Sequence, residues 1–438
     1  MRTNVRKHLG CKCFYILLGL ILPLSLVMAD PIPKGAISSG FDIVGYSGLN
    51  DRPGFKITTK ENHGQWLLYL GHFWEPGWSI VDVTKPNDPK LVKFIPGPAN
   101  TWTLQVDLAE NKLITALEKK PPVWGGDPTQ SNEEGVFIWD LKDPLNPEKL
   151  GQYKTGAAGT HRNGYQGGNY MHLAASMPGY DGNIYVIVDI SDPTKPLEVG
   201  RWWIPGQNRD QGEKFAADIP GKPSLHGPPV IRGNIAFLSY GSAGMVTLDI
   251  SNVSKPKLIS RLGFSPPFLE DIGVHTIVPD MDKKLAYVNS EAIQNQCKES
   301  LNQVTVVDIA NLEKPKLISM FPLPIPPKKY LADDFCKVGG RFGPHNQHQL
   351  FHNPDVQPLG DLVYITYFNA GLRVFNVSNP RQPREVAYFL PPQPTKRYGP
   401  LPADKLALQT EDVLVDKRGY VYITNKNQGL WILKLRSQ

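Results

Sequence analysis

Six short segments of this 438-residue chain carry side chains able to bind a metal or move a proton, and they share one layout. Four contain histidine: Gly159-Thr-His-Arg-Asn-Gly-Tyr165, Ser224-Leu-His-Gly-Pro228, Gly273-Val-His-Thr-Ile277 and Gly343-Pro-His-Asn-Gln-His-Gln349. Asn100-Thr-Trp-Thr-Leu104 precedes them and Leu408-Gln-Thr-Glu-Asp412 follows. Laid over one another, they put His161, His226, His275 and His348 (or His345) at equivalent places, with Glu411 in the next place and Trp102 in the one before. Imidazole nitrogens held at one depth around a centre can approach it to about 2.0–2.2 Å, which suits divalent iron, copper, zinc or manganese. Glu411 is a further ligand or the group that orients a ligand's second nitrogen. Two other readings stand beside the metal: a hydrated polar channel lining, and acid–base chemistry without an ion.

Arg162, Asn163 and Tyr165 follow His161 directly. Arg162 could neutralise a substrate carboxylate while Tyr165 or a histidine shuttles a proton, so Arg162, Tyr165 and Glu411 are the candidate catalytic residues. The simpler reading makes Asn163-Gly164 a turn and packs Tyr165. Arg341 is another cationic candidate. His172 and His352 read as packed or structural, His63 is uninformative, and His72 lies in a loop from which it could reach the same place.

The elements that position these residues follow from a repeat. An apolar strand ending in Asp, a turn with paired prolines and a second apolar strand recur, as in Ser79-Ile-Val-Asp-Val-Thr-Lys-Pro-Asn-Asp-Pro89 and Val186-Ile-Val-Asp-Ile-Ser-Asp-Pro-Thr-Lys-Pro196. The marker positions are 82, 140, 189, 249, 308, 376 and 434. A spacing of roughly 50 to 70 residues suits a four-stranded propeller blade with its loops. Proline ends ladder pairing, and Asp, Asn and Ser side chains hold the turn. These copies resemble the LVIVD repeat family of β-propellers from about Phe41 to Leu435. The resemblance implies an all-β, seven-bladed β-propeller with four-stranded blades around a central axis. The last copy, Leu430-Trp-Ile-Leu-Lys-Leu435, lacks its turn. It predicts ring closure by an N-terminal strand within Phe41 to Tyr46 or Phe55 to Thr59.

On such a blade the marker lies on the third strand. The loops from second to third strand, and from one blade to the next, then open on one face. These are the long ones: Glu118 to Gly135, Gly206 to Leu225, Glu291 to Gln303, Leu323 to Pro344 and Pro391 to Gln409. The histidine-bearing inner-strand starts open on that same face, where a scaffold tolerates functional variation. The layout is similar to that of carotenoid-cleaving oxygenases, in which four inner-strand histidines of a seven-bladed propeller hold iron, and to the selenium-binding-protein group. This chain lacks their signature motifs, so no substrate is carried over.

Residues 1–29 read as an export signal: Arg2, Arg6, Lys7 and Lys12, an apolar run from Phe14 to Met28, and the small-x-small site Val27-Met28-Ala29. The other reading is an uncleaved N-terminal anchor. No later stretch is apolar long enough to span a bilayer. The remaining 30–438 are expected to form one propeller domain, periplasmic or secreted. Four of the six net positive charges belong to that leader, which leaves +2. Such a balance gives no ground for nucleic-acid or anionic-membrane binding. Cys11 and Cys13 leave with the leader. Cys297 and Cys336 lie in loops on the same face of neighbouring blades and can pair, or remain as buried thiols. The functional expectation is an exported metal-dependent enzyme, an oxidoreductase or a lyase, with a small-molecule or oligosaccharide ligand at the channel mouth. The alternative is a non-catalytic propeller that binds a ligand or a protein through its long loops.

Overall fold

The repeated acidic residue is a turn device. In the computed structural model Asp82, Asp140, Asp189, Asp249, Asp308 and Asn376 each end a strand and accept a hydrogen bond from the backbone N–H two residues on, at 2.7–2.9 Å. Asp192, Asn252, Asn311 and Asn379 do the same three positions later. Two successive side-chain-capped turns, closed by proline, thus return the chain antiparallel to itself. Just before each marker the pairing with the following strand slips by one residue, between Ile80 and Val81, Ile187 and Val188, and Val306 and Val307, for example. Such a bulge bends the strand and raises its twist.

The structure describes residues 30–264, 272–300, 302–328, 330–349 and 351–436, with Met1. The expected leader, with Cys11 and Cys13, lies outside the described residues apart from Met1. Among the described residues, regular structure is antiparallel strand plus short 3-10 turns. The first sheet is made of Gly54–Asn62, Gln65–His72, Gly77–Asp82 and Lys90–Pro96. The next holds nine strands from Thr101–Trp102 to Leu197–Trp202. Its two meanders join where Gly159 pairs with Glu118. Two four-stranded meanders follow, Val230–Arg232 to Lys257–Leu262 and Ile272–Asp280 to Lys316–Met320.

Closure uses the chain ends. Phe41–Ser47 pairs with Gln428–Leu435 and completes the last sheet as its fourth strand. Phe55–Thr59, the other candidate for this role, belongs instead to the inner strand of the first sheet. An unexpected strand, Ile37–Ser39, pairs with Arg384–Leu390 and so ties the N-terminus to the preceding sheet as well.

Each sheet buries an apolar face only against its neighbours. Leu67, Tyr69 and Trp78 of the first sheet pack on Val106, Leu113 and Phe137 of the second. Around the ring, Leu68, Leu70 and Val81 of the first sheet pack on Leu414, Tyr422 and Ile432 of the last. This circular packing is that of a β-propeller, an all-β fold.

His172 sits within this packing, its Nδ1 2.7 Å from the Tyr185 hydroxyl, and burial pushes its pKa down to about 4. In the unfolded chain it would protonate near 6.5. The folded state therefore binds fewer protons than the unfolded one between those values, and stability falls as pH drops through that window. The cost saturates below about pH 4 at roughly 3 kcal/mol for this residue. His172→Phe, which leaves the Tyr185 hydroxyl unpaired, is expected to be less stable than the native protein at pH 8. Between pH 8 and pH 4 it should lose about 3 kcal/mol less, read from urea midpoints. Equal acid losses in the two proteins would contradict this.

Candidate metal centre

The inner-strand starts converge on the axis and bring four imidazoles together in sequence order. Ring centroids are 4.4 Å apart for His161 and His226, 5.3 Å for His226 and His275, and 4.8 Å for His275 and His345. The crowding needs glycine beside the histidine: a β-carbon at Gly227 would lie 1.8 Å from the His275 carbonyl oxygen. In their midst stands the carboxylate of Glu291, the last residue of strand Leu285–Glu291. Its Oε2 is 3.1 Å from His226 Nε2 and 3.5 Å from His275 Nε2, and its Oε1 is 3.7 Å from His345 Nε2. The Nε2 atoms of His161 and His226 are 3.3 Å apart.

Three of these rings have their tautomer set from outside the cluster. His161 Nδ1 donates to Glu118 Oε2 at 2.9 Å. His345 Nδ1 donates to the Glu411 carbonyl at 2.9 Å, with a Glu411 carboxylate oxygen 3.2 Å away. His275 Nδ1 faces Thr276 Oγ1 at 2.7 Å, and that hydroxyl is within 3.3 Å of the His345 carbonyl, so the hydroxyl donates onward and the imidazole donates to it. Each ring thereby spends its N–H on an outer partner and turns an Nε2 lone pair toward the others. Arg162 Nη2 stands 2.8 Å from His275 Nε2 and donates to that lone pair.

The electrostatics agree with neutral rings around a carboxylate. Burial pushes His226 down to about 4, and pushes His275 and His345 well below the ordinary imidazole value. Burial alone would raise Glu291, but His275, His345 and His226 around it hold it well below the usual carboxylate range. Burial raises Glu411 against the pull of Lys426, whose Nζ lies 3.1 Å from Glu411 Oε1. Burial also lowers Lys426 to about 8. The ring forms the floor of a cavity of about 330 Å³. Its walls include Phe55, Phe73, Trp102, Trp124, Arg341 and Lys426, and the Arg341 guanidinium bonds Glu291 Oε1 at 2.9 Å. Trp124, Ile293 and Arg341 come from the long loops, so the cavity opens on the elaborated face. The axis leads down past Gln105 to a much smaller space of about 30 Å³, lined by Lys56, Asp107, Gln349 and His352.

The structure brings together His161, His226, His275, His345, Arg162, Glu411 and Trp102 at this cavity. It does not bring two of the sequence candidates there. His348 lies three residues farther along the chain than His345, with Nε2 3.0 Å from the Gln357 carbonyl and Nδ1 accepting from the Val415 N–H. His345 takes the place in the ring. Tyr165 lies four residues beyond His161, about 13 Å along an extended strand. Its hydroxyl bonds the Gly168 carbonyl and Glu110, and its ring is buried with Met171 and Ile184, as the simpler packing reading expected. Asn163-Gly164 is not a turn but part of strand Gly159–Tyr165. His72 is turned away into Arg52 O and Ser79 Oγ, and does not reach the mouth. Glu118, Glu291 and Lys426 were missed. All three stand at or just past the end of a second strand, where the chain enters a loop on the same face as the inner-strand starts.

The LVIVD repeat family matches residues 168–203, 230–262 and 353–390. The chain thus carries LVIVD repeats at three places. Each matched segment includes one of the capped turns described above, at Asp189, Asp249 or Asn376. Its structure is similar to that of the Cps50 (Swd1) β-propeller domain of Myceliophteria thermophila, at 12% identity and a TM-score of 0.52, over 88% of this chain and 98% of that one. It is also similar to Sqt1 of Saccharomyces cerevisiae, at 9% identity and a TM-score of 0.53, over 91% of this chain and 100% of the other. At these identities the likeness is one of fold. No curated protein matches the chain in sequence.

Cys297 and Cys336 form a disulfide with Cα atoms 5.5 Å apart. Beside it, Gln296 N–H bonds the Gly340 carbonyl, so the crosslink braces the loop that delivers Arg341 to the cavity. A loop of 39 residues closed in the unfolded chain corresponds to about 4 kcal/mol on the chain-entropy view. Denatured, unreduced protein beginning at Asp30 should titrate no free thiol. Replacing both cysteines by serine should lower stability by up to that amount. Two titratable thiols, or a double variant of native stability, would contradict the assignment.

Proposed function

We propose that this chain is an exported, seven-bladed propeller enzyme that uses a divalent transition metal at the mouth of its axis. His161, His226, His275, His345 and Glu291 are its ligands. The nine-stranded sheet counts as two blades, which with the other five sheets makes seven. The observation that carries the metal reading is the set of inward lone pairs on His161, His275 and His345. Nε2 lone pairs facing one another and a carboxylate repel unless a cation lies among them. Ligand atoms about 2.1 Å from a tetrahedral centre stand roughly 3.4 Å apart, and the distances here run from 3.1 to 3.7 Å. His226, His275 and Glu291 on their own meet the spacing of a metal site. Imidazole with carboxylate suits iron, zinc, copper or manganese. Glu118 and Glu411 are the carboxylates behind the ligands that fix ring orientation.

The bound ion supplies a Lewis acid, or a redox centre if it is iron or copper, in an oxidoreductase or a lyase. The cavity above it leaves room for a small-molecule or oligosaccharide substrate, and Arg162 and Glu411 stand close enough to take part. Tyr165 has no part, because its hydroxyl points elsewhere. Export to the periplasm or the exterior is supported by the leader-like residues 1–29 and by the Cys297–Cys336 pair. Among the described residues no helix is long and apolar enough to cross a membrane. A binding scaffold without a metal is the second reading, favoured by one contact: Arg162 already supplies a cation to His275 Nε2.

The two readings separate by metal analysis. Protein prepared without chelator, or after incubation with iron, zinc, copper or manganese, should hold close to one equivalent. Chelation should lower the melting temperature by mass action. His226→Ala and His275→Ala should lose the ion and keep the fold, whereas His348→Ala and His172→Phe should keep it. No uptake of any of the four metals, with identical melting with and without chelator, leaves only the scaffold.

A further inference from the structure

We propose that the cavity takes a small carboxylate carried on a flat apolar ring, and that Arg162 is the side chain that grips it once the metal is seated. This rests on the metal reading above and names the substrate class of that site.

Arg162 is 2% exposed and stands at the bottom of the cavity, its guanidinium 5.4 Å from the centre of the Phe55 ring. Nη1 donates to Gln105 Oε1 at 3.3 Å and Nη2 donates to His275 Nε2 at 2.8 Å, while Nε is buried without a partner. One lone pair cannot serve both an arginine and a metal. Seating an ion on His275 therefore breaks the 2.8 Å bond and leaves Nε and Nη2 unpaired together. Those two N–H groups lie on one edge of the guanidinium, the edge that matches both oxygens of a carboxylate. The chain uses this same edge elsewhere: Arg201 holds Glu198 through Nε at 2.6 Å and Nη2 at 2.8 Å.

Charge points the same way. The cavity walls carry the carboxylates Glu118, Glu291 and Glu411 and the cations Arg162, Arg341 and Lys426, which balance. A divalent ion adds two positive charges in a poorly hydrated place, where uncompensated charge is costly. An anion entering with it restores the balance. The rest of the wall selects the body that carries this anion. Trp102, Trp124, Phe73 and Phe55 present apolar ring surface, with Trp102 and Trp124 edge to face at 5.1 Å. A volume of about 330 Å³ lies at the small end of ligand sites.

The test uses zinc alone, then benzoate against its neutral counterpart benzamide, by titration calorimetry on zinc-loaded and metal-free protein. Benzoate should bind at least tenfold more tightly to the zinc-loaded form, and benzamide should show no such gain. By linkage, benzoate should tighten zinc binding by the same factor. Arg162→Gln should bind zinc at least as well as the native protein, having lost the competing donor, and should lose the benzoate gain. The reciprocal effect on native protein needs no variant, so a misfolded Arg162→Gln would not obscure the result. Zinc uptake with equal benzoate affinity in both forms, or with benzamide bound as well as benzoate, overturns this proposal and leaves the metal reading intact. No uptake of zinc, iron, copper or manganese sinks both.

Discussion

The structure depends on closing a ring. Among the described residues no sheet buries its hydrophobic face alone, because each packs on neighbours at both sides. Pairing Phe41–Ser47 with Gln428–Leu435 makes the first and last sheets neighbours and buries Leu68, Leu70, Leu414 and Ile432 between them. Without that strand both ends of the array would present open, apolar sheet surface. Closure also fixes the axis, because inner strands can be held at one depth only if the circle is complete. The register of His161, His226, His275 and His345 is thus a consequence of how the ends meet. Ile37–Ser39 reinforces the joint by binding the N-terminal segment to the preceding sheet.

The buried charge at the mouth is arranged in layers. Glu291 at the centre bonds the Arg341 guanidinium and lies well below the usual carboxylate range. Around it burial pushes His226, His275 and His345 down, and three of the four rings are aimed by a partner farther out. Farther out again, Glu411 faces Lys426, which lies 4.6 Å from the centre of the Trp124 ring. A carboxylate in a low-dielectric cleft is costly unless such donors surround it. The same outer contacts fix which nitrogen of each ring faces inward, and orientation of this kind governs whether a histidine can be a ligand.

The sequence shows the blades plainly, and the reason is physical. The Asp and proline turn must be spelled the same way each time, since an Asx turn needs a short side-chain acceptor and proline needs a fixed φ. The family match at three segments rests on that constraint. The inner-strand histidines could be aligned because glycine or proline stands beside them where backbones approach closely, as at Gly227. The choice between His345 and His348 was not legible. Residues 345–349 meet the neighbouring strand through scattered hydrogen bonds and one isolated bridge in place of a continuous ladder, so the regular alternation that would decide a side chain's direction is missing there. Tyr165 misled as a catalytic candidate because closeness in sequence is not closeness in an extended strand. Glu118 and Glu291 carried a usable signal: each is the first residue of a long loop on the elaborated face. A lone carboxylate at a strand end has many bland uses, however, and only its three-dimensional neighbours distinguish it.

Arg162 explains how such a site can belong to a stable fold with or without an ion. Imidazole nitrogens crowded around one carboxylate leave lone pairs facing inward, and a fixed internal cation relieves the worst of it at His275 Nε2. Apolar packing between sheets makes up the core of this fold, in contrast to small domains that are unfolded without a metal. The arginine contact also means that affinity at this centre is a difference. An ion entering here would gain nitrogen and oxygen ligands already in place but would have to displace a buried arginine that stays close by. A displaced guanidinium that can neither reach water nor keep its old partner is available to whatever enters the cavity next. The side chain that stabilises the empty ring is then the one best placed to hold an anion over the filled one.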